Sequence, residues 1–183
     1  LTKLVGFSGM LGRMTKRFKF PNPVNETSAR IVAAGVVVIS ALFLLTNSTL
    51  VLIALTYGFA ARVAAGPTFS PLATVATRVI TPRLNLNHKF VPGPPKRFAQ
   101  TIGLTFSATA LVLTLLGFSS AAQLVITALI AAAFLESAFA ICLGCIAFSF
   151  LMKLGVIPES VCESCNDISL FSANKNPQPA SRA

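Results

Sequence analysis

The chain has 183 residues, of which 54% are hydrophobic and only 11% charged, and its mean hydropathy is +0.76. That mixture excludes a soluble globular domain, because so much apolar surface cannot be enclosed by one water-solvated core of this size. The charge is lopsided, 15 Lys and Arg against 5 Asp and Glu for a formal +10, and in a lipid-embedded chain this reads as loops resting on an anionic cytoplasmic leaflet rather than as a nucleic-acid surface.

Residues 1–20 form a basic segment in which Leu4, Phe7, Leu11, Met14 and Phe18 recur at alternating steps of three and four. They lie opposite Lys3, Arg13, Lys16 and Arg17, which predicts an amphipathic helix in the headgroup plane. No long apolar core or cleavage site follows the basic residues, so the segment is not read as a secretory signal. Residues 21–157 are read as the transmembrane domain. Asn25 caps a helix over about 26–46, with Glu26 at its positive end and within i,i+4 reach of Arg30. Thr46-Asn47-Ser48-Thr49 interrupts the uncharged run from Ile31 to Ala61, so a second helix over about 49–65 completes a hairpin. Gly66-Pro67 ends it.

An interfacial segment over 66–97 comes next, with a short helix from Leu72 to Ile80 and the Pro-rich run Pro92-Gly93-Pro94-Pro95. Arg78, Arg83, Lys89, Lys96 and Arg97 are expected to meet lipid phosphates or simply to set topology, and His88 to be solvated. From Phe98 to Leu135 the chain is again uncharged, broken only by Gly117-Phe118-Ser119-Ser120. That predicts helices over about 98–117 and 120–153, each long enough to cross ~30 Å of hydrocarbon. The fold class is therefore all-α: a membrane bundle of four transmembrane helices in two hairpins, with the interfacial N-terminal helix beside it. All 15 basic residues fall on one side of this scheme, which places both termini in the cytoplasm. Residues 158–183 form a cysteine-containing cytoplasmic tail, disordered after about 168.

The four cysteines, Cys142, Cys145, Cys162 and Cys165, have the spacing C-x2-C-x16-C-x2-C. On a continuous fourth helix Cys142 and Cys145 share one face, roughly 33–38 Å below Ser120, at the cytoplasmic boundary. Gly155 and Pro158 end that helix, and a short loop can return Cys162 and Cys165 to the same depth. Two CxxC pairs suit dithiol or sulfur-transfer chemistry, in which one thiolate attacks a disulfide or persulfide and its partner resolves it. The same four thiolates suit a zinc site, or less readily an iron–sulfur site, and the cysteines can also serve as small apolar packing residues. Glu136 is the only charge between Phe98 and Met152. A carboxylate at that depth needs a partner, and Arg62 on the second helix is expected to pair with it; alternatively Glu136 is a proton acceptor for the thiols.

Several of these stretches occur together in one known family. Pro23-Val24-Asn25-Glu26 with Arg30, Arg62 before Gly66-Pro67 and Ser70-Pro71, Gly93-Pro94-Pro95 with Arg97-Phe98-Ala99 and Gly103, and Glu136 leading to Cys142-Leu143-Gly144-Cys145 make up the pattern. It resembles domain-of-unknown-function family 4395, bacterial polytopic membrane proteins without an established activity, over about residues 20 to 168. The tail from Gly155 to Cys165 with Asp167 looks like the actinobacterial branch. The resemblance implies a multi-pass protein of the bacterial cytoplasmic membrane. It also implies, by association with thioredoxin-like and sulfurtransferase proteins, a partner that handles thiols. Two function classes stay open: a thiol-disulfide or sulfur-transfer component without a cofactor, and a non-catalytic accessory subunit of a larger membrane complex whose cysteines bind zinc or only pack.

Overall fold

The computed structural model describes residues 23–84 and 90–157. The expected N-terminal helix, His88, Lys89, Cys162, Cys165 and the tail lie outside the described residues. A two-residue strand, β1 (Val24–Asn25), leads into α1 (Glu26–Thr46), and after a short break α2 (Thr49–Ala65) returns. A 3-10 turn at Gly66–Thr68 is followed by α3 (Pro71–Val75), which runs on through π-helical Ala76–Ile80 and a last turn at Thr81–Arg83. Strand β2 (Phe90–Val91) then precedes α4 (Gly93–Leu115), α5 (Ser119–Phe139) and α6 (Leu143–Lys153).

Local chemistry accounts for most of these boundaries. Asn25 caps α1, its Oδ1 accepting from the amides of Thr27 at 2.9 Å and Ser28 at 3.4 Å. Asn47 ends the helix in the left-handed region at φ 49° and donates its N–H to the Phe43 carbonyl, a conformation its short polar side chain tolerates. Gly117, at φ 85°, makes the second tip. Helix α4 starts five residues before the predicted Phe98, with Pro94 and Pro95 in its first turn. The sequence places the Pro-rich run in the interfacial segment, but first-turn residues have no intrahelical use for an N–H, so proline is accommodated there.

The helices α1, α2, α4 and α5 pack in a closed ring, each against two neighbours, in the order α1–α2–α4–α5. Four segments are long and apolar enough to cross a membrane: Glu26–Thr46, Thr49–Arg83, Gly93–Leu115 and Ser119–Phe139. The core is built from Val36, Phe43, Leu52, Phe59, Ile126 and Leu129 with small residues such as Ala110 and Ala122 between them. Ser40 and Ser107 are fully buried, whereas Leu45, Leu50 and Leu124 are exposed. An apolar outer surface around an interior of small and hydroxyl residues is the packing expected when the solvent is lipid, and the chain is a multi-pass membrane protein. Antiparallel pairing of Val24 with Val91 and Asn25 with Phe90 joins the starts of the two hairpins, a short ladder in an otherwise all-α bundle.

The predicted fourth helix over 120–153 is not continuous. It stops at Phe139, Ala140 adopts φ 58°, and α6 begins at Leu143. At 11 residues, α6 is about 16 Å long, too short for a fifth crossing. It packs mainly on α4.

Candidate functional site

The break after α5 has a long-range cause. Arg30, on α1, donates from Nε to the Ser137 carbonyl at 3.0 Å and from Nη2 to the Ala138 carbonyl at 3.1 Å. A guanidinium on the last carbonyls of a helix complements its negative end and satisfies groups that a continuing helix would have used. The amides of Ala140 and Ile141 fold back onto the Glu136 and Leu135 carbonyls, at 3.1 and 3.2 Å. Arg30 therefore works across the bundle, where the sequence had offered it Glu26.

The redirected chain turns the first CxxC pair into a helix start. Cys142 is the N-cap of α6, and its Sγ accepts the Cys145 amide at 3.2 Å. Cys142 and Cys145 stand at disulfide distance, with Cα atoms 5.2 Å apart; Cys142 is 8% exposed and Cys145 half-buried. The expected mid-helix placement on one face is thus corrected. Gly144 lets α6 approach α4: a Cβ at that position would stand 2.6 Å from the Ala99 Cα. The Phe98 and Phe148 rings meet on the same contact, with centroids 5.6 Å apart.

A family model with the description Domain of unknown function (DUF4395) matches residues 24–153, from the first residue of β1 to the last of α6. The chain belongs to this family. No curated protein and no solved structure matches it. The DUF4395 match includes Cys142 and Cys145 and stops short of Cys162 and Cys165.

The buried charges of the DUF4395 domain are partnered differently from expectation. Glu136 forms its ion pair with Lys96, Nζ to Oε1 at 2.6 Å, with side chains only 9% and 17% exposed. The expected Arg62–Glu136 pair is not formed, and the Arg62 guanidinium takes neutral partners. Its Nε donates to Gln100 Oε1 at 2.8 Å and its Nη1 to Ser70 Oγ at 3.2 Å, while its face lies 4.5 Å over the Phe59 ring. Arg62 and Lys96 sit on neighbouring helices, and the helical offset of α4 brings Lys96 rather than Arg62 to the carboxylate. Lys96, expected to meet lipid phosphate or simply to set topology, instead turns its side chain into the bundle, because the prolines before it belong to α4. Gln100 and Ser70 carried no charge or motif that would have marked them. Arg97 does remain exposed, donating to the Val63 carbonyl at 3.1 Å.

Two cavities flank the cysteines of the DUF4395 domain. One, of about 350 Å³, is walled by small and apolar residues of α4 and α5 and is bordered by Gln100, Glu136 and Cys142. The other, of about 530 Å³, is bordered by Cys142, Cys145, Lys96, Lys153 and Glu26. Cys142 borders both, and the two members of the ion pair border one each, Glu136 the first and Lys96 the second. Among the described residues no group of three or more His, Cys, Asp or Glu is arranged to hold a metal.

Proposed function

We propose that this protein is a thiol-disulfide exchange or sulfur-transfer component of the bacterial cytoplasmic membrane, working at Cys142 and Cys145 on the cytoplasmic face. The observation that supports this reading is the N-cap position of Cys142. A thiolate there is stabilised by the helix N-terminus and by the Cys145 amide, which makes it a good leaving group. An incoming thiolate attacks the more accessible Cys145 Sγ, the Cys142–Cys145 bond breaks, and its electron pair stays on Cys142. A second thiol of the same partner then displaces Cys145 from the mixed disulfide, so the partner leaves oxidised and the protein holds two thiols. Glu136 is the nearby base for the protons, with Lys96 holding it in place. Cys162 and Cys165 are a second pair, by which a thioredoxin-like or sulfurtransferase partner can also deliver electrons or sulfur to the same bond. Positive charge gathered at one end of the bundle supports the cytoplasmic orientation, with Arg78 and Arg83 toward anionic lipid.

The zinc reading requires Cys142 and Cys145 as free thiolates, and no observation favours it over a helix-capping disulfide. The test uses the full chain in a Cys162→Ser, Cys165→Ser background, challenged with an oxidised thioredoxin-like protein. Cys142→Ser should accumulate a mixed disulfide through Cys145, because the resolving sulfur is gone, and Cys145→Ser should not. Failure of both variants to trap partner, with Cys142 and Cys145 in one alkylation state across a glutathione redox series, would overturn the proposal. Orientation is checked separately: Ser119→Cys should be labelled from outside the cell and not from the cytoplasm.

A further inference from the structure

A third cavity, of about 230 Å³, lies beneath the β1–β2 ladder between α1, α2 and α4, and no cysteine lines it. Its walls are largely apolar, with Val24, Val32, Pro67 and Phe90 among them, and its cationic groups are Arg62 and Lys96, with Gln100 beside them. Arg62 is 4% exposed, yet its Nη2 is buried without a hydrogen-bond partner. Gln100 has given its oxygen to Arg62, which leaves its amide as a donor. Lys96 has one bond to Glu136, and an ammonium has three hydrogens to give. Every strong polar group facing the cavity from α2 and α4 is therefore a donor.

The charges lead to the same conclusion. One carboxylate, Glu136, serves two buried cations, and it pairs with Lys96. The cluster keeps one net positive charge, carried by a guanidinium whose contacts are all neutral. A buried charge without a counter-charge is strongly unfavourable, and more so at membrane depth. Guanidinium and ammonium groups together suit an oxyanion of the phosphate type, whose oxygens accept from several directions.

We propose that the cavity beneath the ladder is a phosphate-type oxyanion site, with Arg62 Nη2 and the Lys96 ammonium as its principal donors. A singly charged phosphodiester would neutralise the cluster, and the apolar walls suit what such a group carries. The same chemistry is available from a phospholipid headgroup or from free phosphate.

Two arms separate the sources, both using the full chain in neutral detergent. In the first, thermal unfolding is followed in sodium phosphate and in sodium chloride of equal ionic strength. In the second, the protein is passed through phosphatidylcholine vesicles with and without phosphatidylglycerol, repurified, and its retained lipid identified. A higher Tm specific to phosphate assigns free phosphate; retained phosphatidylglycerol assigns the headgroup. In either arm Arg62→Lys should weaken the effect about tenfold by removing the planar donor fork, and Ala29→Leu should weaken it by filling the cavity while leaving Arg62 in place. Wild-type protein showing neither effect, or Ala29→Leu showing the full effect, would overturn the proposal. The outcome should be the same with Cys142 and Cys145 oxidised or reduced, so it is judged apart from the thiol chemistry.

Discussion

The two ends of the bundle hold together by different means. At the tips, the hairpin turns meet through one exposed hydrogen bond, Gln123 Nε2 to Asn47 Oδ1 at 2.8 Å. At the basic end, Arg30 caps a helix on the far side, Lys96 pairs with Glu136, Arg62 bridges α2 to α4 and to the residues after Gly66, and α6 folds across α4. In the region between, Ser40 and Ser107 are the polar residues among the buried apolar ones. The contrast teaches that the tip half needs only enough apolar length to cross the membrane. Fixing the relative positions of four helices, a cysteine pair and three cavities is the work of the basic end.

Substitutions at the two ends should therefore differ widely in effect. Lys96→Met, which leaves the Glu136 carboxylate buried without its partner, should destabilise the bundle by about 3–5 kcal/mol. The combined Lys96→Met, Glu136→Leu variant should recover most of this, as measured by denaturant titration in mixed micelles. Equal loss in the single and double variants would mean that the pair is not the organising contact. Gly103→Ala tests how the core and the basic end are joined. Its new methyl would overlap the Phe59 ring, and that ring is held by the Arg62 guanidinium. The overpacking should cost about 1–3 kcal/mol, and a second change, Phe59→Leu, should relieve it. Unchanged unfolding in Gly103→Ala would show that the ring yields freely. Gln123→Ala at the tips should shift stability by less than about 0.5 kcal/mol, and a larger loss would erase the distinction between the ends.

Four apolar helices were legible because two uncharged runs, each with one polar or glycine-containing break, leave little else to form in lipid. The break at Ala140 was not. Helix stops are read from Gly or Pro, and here a non-glycine residue takes φ 58°, held there by surrounding structure that includes an arginine more than 100 residues earlier in the chain. The cysteine pair was visible as a motif, but its helix-capping role depends on that break. Arg62 and Glu136 stood out as intramembrane charges, whereas their partners did not. Whether Lys96 points to lipid or to Glu136 depends on where α4 begins, and that rests on prolines that are compatible with either a loop or a first turn.

The pairing of Val24 with Val91 and Asn25 with Phe90 also bears on the order of assembly. A ribosome delivers the whole first hairpin before Phe90 and Val91 exist, so the backbone groups of Val24 and Asn25 wait for partners until the second hairpin follows. Docking of the second hairpin at its final depth is therefore a step that comes after insertion of the first. The pocket roofed by Val24 and Phe90 closes only when that step is complete, so Arg62 is in place in a newly made chain before the pocket it lines is finished.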